Sequence, residues 1–136
     1  MVENEQSTEI HTKVRPLNVK TTFYIDDQRM YKIVYFDMQG KERHHKYIHH
    51  YVNGSTVSIF VFDVTRRSTF EKVEQWINEV EQCDSPIKIL IGNKIDLVMS
   101  KKNIVNPVTK TEGLGLAKKY GMEYFETSSV GEASIV

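Results

Sequence analysis

Three polar side chains, Asn93, Lys94 and Asp96, have the chemistry needed to read a guanine base. A carboxylate such as Asp96 can accept hydrogen bonds from two neighbouring donors, which guanine presents at N1 and N2 and adenine does not. The Asn93 amide can reach N7, and the Lys94 side chain can lie along the base plane. The alternative interpretation is an ordinary polar turn after a buried strand. The residue types and their spacing favour the guanine-binding site.

The segments around these residues predict an α/β sheet. Residues 57–64 and 87–91 are short, nearly continuous apolar runs, typical of central parallel strands covered on both faces by helices. Residues 17–25 and 31–36 are rich in β-branched and aromatic types and flank a polar turn, which predicts a hairpin. Open α/β sheets place their ligands at the carboxyl ends of the strands, where residues 93–96 fall.

A helix is predicted between the two apolar runs. Ser68, followed three residues later by Glu71, fits a capping box at its start. Apolar residues then recur on one helical stripe, and the helix is expected to continue to about Cys83. The members of the stripe are Phe70, Val73, Ile77 and Val80.

A second helix is predicted over residues 109–120, followed by a last short strand over residues 122–125. Leu114, Ala117 and Tyr120 are expected to face inward, and Gly121 is expected to end the helix. The alternation of strands and helices indicates a mostly parallel sheet with crossover helices and one antiparallel edge.

Composition narrows the class of protein. The chain has 136 residues, of which 40% are hydrophobic, and its 18 Lys+Arg balance its 18 Asp+Glu. One domain over residues 1–136 is therefore expected, without the basic footprint of a nucleic-acid-binding protein.

Cys83 is the single cysteine, which excludes an internal disulfide and suits a cytoplasmic location. A C-a-a-X lipid anchor is not expected, so endomembrane association would come through partners or a longer isoform.

Five motifs then occur in one order along the chain. They are DMQGKER at 37–43, FDVT at 62–65, WINEV at 76–80, GNKID at 92–96 and ETSS at 126–129. Together they resemble the motifs of Rab-type small GTPases of the Ras superfamily, over roughly residues 12–132. The resemblance implies a P-loop-NTPase-like G domain that acts as a guanine-nucleotide switch of vesicle traffic. GTP or GDP with Mg²⁺ would be its ligands, and effectors or regulators of Rab type its protein partners.

The resemblance adds residues to the guanine site. In the family, the backbone of the loop that ETSS resembles contacts the guanine oxygen, a role that passes to Ser128 and Ser129. Val130 stands where the family packs a lysine on the base. The implied guanine site therefore joins the loop after one strand to the loop after the next.

Three further residues are implied near the phosphates. Asp37 corresponds to the carboxylate near Mg²⁺, and Gly40 to the glycine whose N–H senses the third phosphate. Thr12 falls where the family has its first-switch threonine, a second group for the metal. The alternative interpretation of Asp37 and Gly40 is an ordinary strand end and turn.

The chain departs from the family pattern in two respects. No G-x-x-x-x-G-K-[ST] occurs in these 136 residues, and the family's first strand, phosphate loop, first helix and last helix have no counterpart in them. Nucleotide binding by the isolated chain is therefore expected to be weak or absent. Lys41 replaces the glutamine that orients the attacking water, and an ammonium has no acceptor for that water's proton. Impaired hydrolysis is expected, and no catalytic residue is assigned.

Two other functions remain open. The chain could be a non-catalytic interaction module that presents a switch-like surface, which Met38, Gln39 and Lys41 support because they replace family residues. It could also be a non-functional gene fragment. Nucleotide-independent binding to Rab partners would indicate the first, and a melt without a cooperative transition would indicate the second.

Overall fold

The computed structural model describes residues 17–38, 48–83, 85–100 and 103–130, in two compact units, Met1–Lys46 and Tyr47–Val136. The first unit contains strands β1 (Leu17–Ile25) and β2 (Met30–Met38). The second contains α1 (Ile48–Val52), β3 (Val57–Asp63), α2 (Arg67–Glu79), β4 (Ile87–Asn93), α3 (Ile95–Met99), α4 (Lys110–Lys119) and β5 (Glu123–Thr127). Within the described residues, no helix is long and apolar enough to cross a bilayer.

The first unit is the predicted hairpin. β1 and β2 pair antiparallel, with Ile25 opposite Met30. The Asp26 carboxylate closes the turn by accepting hydrogen bonds from the backbone N–H groups of Gln28, at 2.9 Å, and Arg29, at 2.7 Å. These two bonds lower the pKa of Asp26 below its ordinary value. A short acidic side chain thus satisfies the turn backbone and fixes the strand register.

The second unit is built on a parallel sheet in the order β3-β4-β5. Asp63 lies opposite Asn93 and Asn93 opposite Thr127, so the three strands end together at one edge. β4 is central, as predicted. β3 is an edge strand of this sheet, because no described strand pairs with its outer side.

The prediction that β3 is covered on both faces was wrong for the described residues. Its burial alternates: Ser58, Phe60 and Phe62 are buried. Val57, Ile59 and Val61 point to the other face and are 39%, 53% and 47% exposed. The apolar run arises because both faces are apolar, while only one of them is covered by described elements of this unit.

The covered face packs against α2 and α4. The Phe62 ring meets Phe70 of α2 edge-on at 4.9 Å and lies stacked 6.5 Å from Tyr124 of β5. The largest fully buried side chains are Phe62, Val73, Ile77, Val80 and Leu90. The predicted stripe of α2 is therefore confirmed as the side that packs on the sheet.

The start of α2 differs from its prediction. Arg66 is the N-cap, so Ser68 already lies inside the helix and makes no capping box with Glu71. Thr69 instead makes the side-chain hydrogen bonds at the start of the helix. Its hydroxyl accepts from Asp63 N at 3.0 Å and donates to the Arg66 carbonyl oxygen at 2.7 Å. The helix ends at Glu79, with Val80 as its C-cap, and not near Cys83.

The capping box of the unit occurs on α4. The Thr109 side chain accepts from Glu112 N at 3.3 Å, and the Glu112 carboxylate accepts from Thr109 N at 2.9 Å. Arg67 then binds the same carboxylate, with nitrogen–oxygen distances of 2.7 and 3.2 Å. Arg67 and Thr109 lower the pKa of Glu112 to about 2. One glutamate thus caps α4 and ties it to α2.

Leu114 does not face inward as predicted, since it is 49% exposed. The buried stripe of α4 is Gly113, Leu116 and Ala117, because the Tyr124 ring fills the space beside Gly113. A Cβ added at Gly113 would lie 2.4 Å from Tyr124 Cζ. Gly121 follows the helix with φ +64°, as expected for its end.

Candidate guanine-binding site

The loop after β4 carries the three predicted base-reading residues. β4 runs two residues further than predicted, so Asn93 is its last residue. Lys94 follows in the left-handed region, with φ 69° and ψ 34°, and Asp96 lies in the first turn of α3. The Asn93 side chain supports this turn by accepting from Lys94 N at 2.8 Å. The left-handed residue reverses the chain direction, so that α3 begins at the strand end.

Asn93 also binds the loop that follows β5. Thr127 Oγ1 donates to Asn93 Oδ1 at 3.2 Å, and Asn93 Nδ2 donates to Ser129 Oγ at 3.3 Å. The parallel register places Asn93 opposite Thr127, so these bonds span neighbouring strand ends. The amide has a second N–H, which remains for a ligand acceptor such as N7 of guanine.

Asp96 is held by the same loop. Ser128 Oγ donates to Asp96 Oδ1 at 2.7 Å, and Val130 N donates to Ser128 Oγ at 3.1 Å. The Val130 side chain is 74% exposed. The structure therefore brings Asn93 and Asp96 together with the loop after β5, with the serine hydroxyls hydrogen bonded to these two residues.

Lys94 has a partner that the sequence did not reveal. Its Nζ lies 2.6 Å from Oδ2 of Asp63, the last residue of β3. Burial opposes ionisation of Asp63, but the hydrogen bonds from Lys94 and Thr65 outweigh it and hold its pKa below the ordinary value. Asp63 belongs to the FDVT motif, and its position at a strand end was the one available signal.

The residues expected near phosphate and metal are not assembled in the described structure. Asp37 lies on β2, where Asn18 Nδ2 is 3.5 Å from its Oδ2. Thr12, Gly40 and Lys41 lie outside the described residues. In the described ranges, no group of three or more His, Cys, Asp or Glu side chains could hold a metal ion. Their predicted roles stay predictions.

The motif order and the sheet agree with one family of known proteins. The sequence profile described as the Ras family matches residues 2–135. The chain belongs to the Ras family. The resemblance to the Ras superfamily is thus confirmed, as is the α/β small-GTPase fold with a parallel sheet flanked by helices.

Several relatives of this Ras-family chain carry Rab names. It is 40% identical over 111 residues to the Ras-related protein Rab-18-B of Danio rerio, covering 79% of this chain and 51% of that protein. It is 37% identical over 110 residues to RAB1BV of Beta vulgaris, covering 79% of this chain and 49% of that protein. RABE1e of Arabidopsis thaliana matches at 37% over 110 residues, covering 79% and 48%. By sequence the chain is of the Rab type within the Ras family, and it spans about half the length of the curated relatives it matches.

Proposed function

We propose that this Rab-type chain recognises guanine nucleotides and forms the base-reading part of a switch in intracellular vesicle traffic. The supporting observation is the linkage of two loops. Asn93 and Asp96 follow β4, and each is hydrogen bonded to a serine of the loop after β5. Asn93 and Asp96, which could bind opposite edges of one base, are therefore both held in place by the loop after β5.

Asp96 supplies the selectivity for guanine. Each carboxylate oxygen has two acceptor positions, so the bond from Ser128 to Oδ1 leaves acceptors for the N1 and N2 hydrogens of guanine. Adenine has an unprotonated N1 and no amino group at position 2. Binding adenine would cover the remaining acceptors of this carboxylate without giving them a donor, which costs more than a missing hydrogen bond in water.

Phosphate binding is expected to contribute little to affinity, because no phosphate-loop motif occurs in these 136 residues. Hydrogen bonds to charged groups contribute about 1.5–3 kcal/mol each, so about four fewer phosphate contacts would weaken binding by roughly 6–12 kcal/mol. Each 1.4 kcal/mol is about tenfold in affinity, which takes a nanomolar site to about 10 μM or weaker. We therefore expect weak binding of GDP and GTP by the 136-residue chain, driven by the base.

Mg²⁺ would neutralise phosphate charge if it accompanied the nucleotide. Of the two residues assigned to it, Asp37 supplies a suitable carboxylate and Thr12 lies outside the described residues. A single carboxylate is not a metal site by itself. Base recognition, as proposed, does not depend on the metal.

The deciding experiment is a nucleotide titration of the 136-residue chain, followed by amide chemical shifts. We expect GDP to shift resonances of the loops after β4 and β5 at lower concentration than ADP. Asp96→Ala should abolish the preference for guanine, whereas Asp27→Ala, in the hairpin turn, should leave it unchanged. Equal affinities for GDP and ADP in the unaltered chain would contradict the proposal. Submicromolar affinity for GDP would show that another segment of the chain holds the phosphates.

Hydrolysis is proposed to be slow in any longer form that carries Lys41. The glutamine at this position in the family orients water through an amide, and a lysine ammonium lacks the acceptor. Lys41→Gln should raise the single-turnover rate of GTP hydrolysis in such a form, with Lys32→Gln as the charge-matched control. An unchanged rate would show that water is oriented by another group.

A second candidate function is nucleotide-independent binding of Rab effectors or regulators. The hairpin carries exposed aromatic side chains on both strands, including Phe23 at 60% and Tyr24 at 59% exposure. Aromatic residues are enriched at protein–protein contacts. Binding of such a partner in the absence of nucleotide, lost in Phe23→Ser, would favour this function. Peripheral association with endomembranes would then follow from the partner.

A further inference from the structure

Asp63 meets the candidate base-reading residues from the neighbouring strand. It is the last residue of β3 and lies opposite Asn93, the last residue of β4. Its side chain is 11% exposed, against 50% for Lys94, and the two groups are 2.6 Å apart. The pair therefore spans the ends of two parallel strands, immediately beside the proposed base site.

The Asp63 carboxylate is fixed independently of Lys94. Its Oδ1 accepts hydrogen bonds from Thr65 N at 2.9 Å and from Thr65 Oγ1 at 2.6 Å. The adjoining backbone is fixed too, since Val64 N donates to Asn93 O at 3.0 Å. A carboxylate held through one oxygen presents the other in a set direction, so it can determine where a flexible partner lies.

Lys94 is a side chain that needs such a partner. Lysine has a flexible four-carbon stem, and ordering it costs up to about 2 kcal/mol of rotamer entropy. The backbone of Lys94 is held in the left-handed region at one end of this stem. With Nζ held at the other end by Asp63, the methylenes between them have few conformations left. A ligand that packs on those methylenes then loses less affinity to their ordering.

We propose that Asp63 is a positioning residue for guanine-nucleotide binding, which holds the Lys94 ammonium so that the lysine methylenes form a ready-made surface for the base. The inference rests on the proposed function. The competing explanation is that the ion pair only ties β3 to β4. The two explanations predict different effects of removing Asp63. A positioning role lowers nucleotide affinity through Lys94, whereas a structural ion pair lowers the stability of the fold.

A double-mutant cycle on the 136-residue chain separates them. GDP affinity is measured by amide chemical shifts for the unaltered chain, Asp63→Asn, Lys94→Met and the double variant. Because the pair is partly exposed, we expect Asp63→Asn to weaken GDP binding by about two- to fivefold. In the Lys94→Met background, the same change should have no further effect. Glu74→Gln, which breaks the 2.5 Å pair with Lys119 elsewhere in this unit, serves as the control and should leave affinity unchanged.

The outcomes distinguish failure of this inference from failure of the proposed function. An unaltered chain without preference for GDP over ADP overturns both. If the chain prefers GDP and Asp63→Asn leaves GDP affinity unchanged, the positioning role alone is overturned. The same holds if Asp63→Asn lowers GDP affinity by the same factor with and without the Lys94→Met change. If Asp63→Asn gives no dispersed amide spectrum, Asp63→Glu replaces it in the cycle. The displaced carboxylate should then weaken GDP binding only when Lys94 is present.

Discussion

The Ser128 hydroxyl lies 2.7 Å from Asp96 Oδ1, and this bond joins residues that are 32 positions apart. It connects the first turn of α3 to the loop after β5, two segments that share no backbone pairing at this point. The orientation of the proposed guanine-reading carboxylate thus depends on a side chain from another part of the chain.

Ser128→Ala should therefore weaken guanine recognition without unfolding the chain. Loss of one hydrogen bond leaves the Asp96 carboxylate less well oriented, and we expect GDP affinity to fall by about two- to tenfold. The measurement is the same chemical-shift titration with GDP, repeated with ADP for comparison. Ser68→Ala, on the exposed side of α2, is the matched control. An unchanged affinity in Ser128→Ala would show that the hydroxyl does not orient Asp96.

Two glycines of α4 should respond to alanine in opposite directions. At Gly113 an added Cβ would lie 2.4 Å from the Tyr124 ring, whereas at Gly115 it would meet no atom within 4 Å. Gly113→Ala should destabilise the chain by about 1–3 kcal/mol through overpacking. Gly115→Ala should stabilise it by roughly 0.5–1 kcal/mol, because alanine has the better helix propensity. Urea unfolding of the two variants measures the difference, and equal midpoints would contradict the packing of Tyr124 against α4.

The bonds from Arg67 and Thr109 to Glu112 should make stability depend on acid pH. The pKa of Glu112 is about 2, below its ordinary value of 4.5. A depressed carboxyl pKa stabilises the folded state above the unfolded pKa, and this contribution is lost as the pH falls from about 4.5 towards 2. Glu112→Gln should therefore be less stable than the unaltered chain at pH 6, and the gap should narrow below pH 4. A gap that is constant from pH 6 to pH 2.5 would argue against these bonds.

Adjacent residues of β3 should behave as members of different faces. Ile59 is 53% exposed and Phe60 is 7% exposed. Ile59→Thr keeps a β-branched residue, so we expect a change in the free energy of unfolding within about 0.5 kcal/mol. It should also lower the fluorescence of a dye that binds apolar surface. Phe60→Ala should cost about 3–5 kcal/mol. A large destabilisation by Ile59→Thr would mean that this face is covered.

The sequence by itself determined the five strands, the two longer helices and the order of the motifs. Local patterns indicated these elements, because hydrophobic periodicity and turn residues act over a few neighbouring positions. The hairpin closed by Asp26, the apolar stripe through Val73 and Ile77, and the α/β class were all readable in this way. The candidate base-reading residues could be selected in the same way, since Asn93, Lys94 and Asp96 lie within one short motif, and their role stays a prediction. The roles of Thr12, Gly40 and Lys41 remain predictions, because these residues lie outside the described structure.

The tertiary structure decided what the local patterns could not. The inward side of α4 was mispredicted because a glycine occupies the buried stripe and Tyr124, from the next strand, fills its space. The exposure of one face of β3 was not predicted, because the type of an apolar residue does not show whether another element covers it. The bonds of Asp63 to Lys94 and of Ser128 to Asp96 depend on the register of parallel strands. That register is set by packing between segments far apart in the chain, and no local spacing of residue types encodes it.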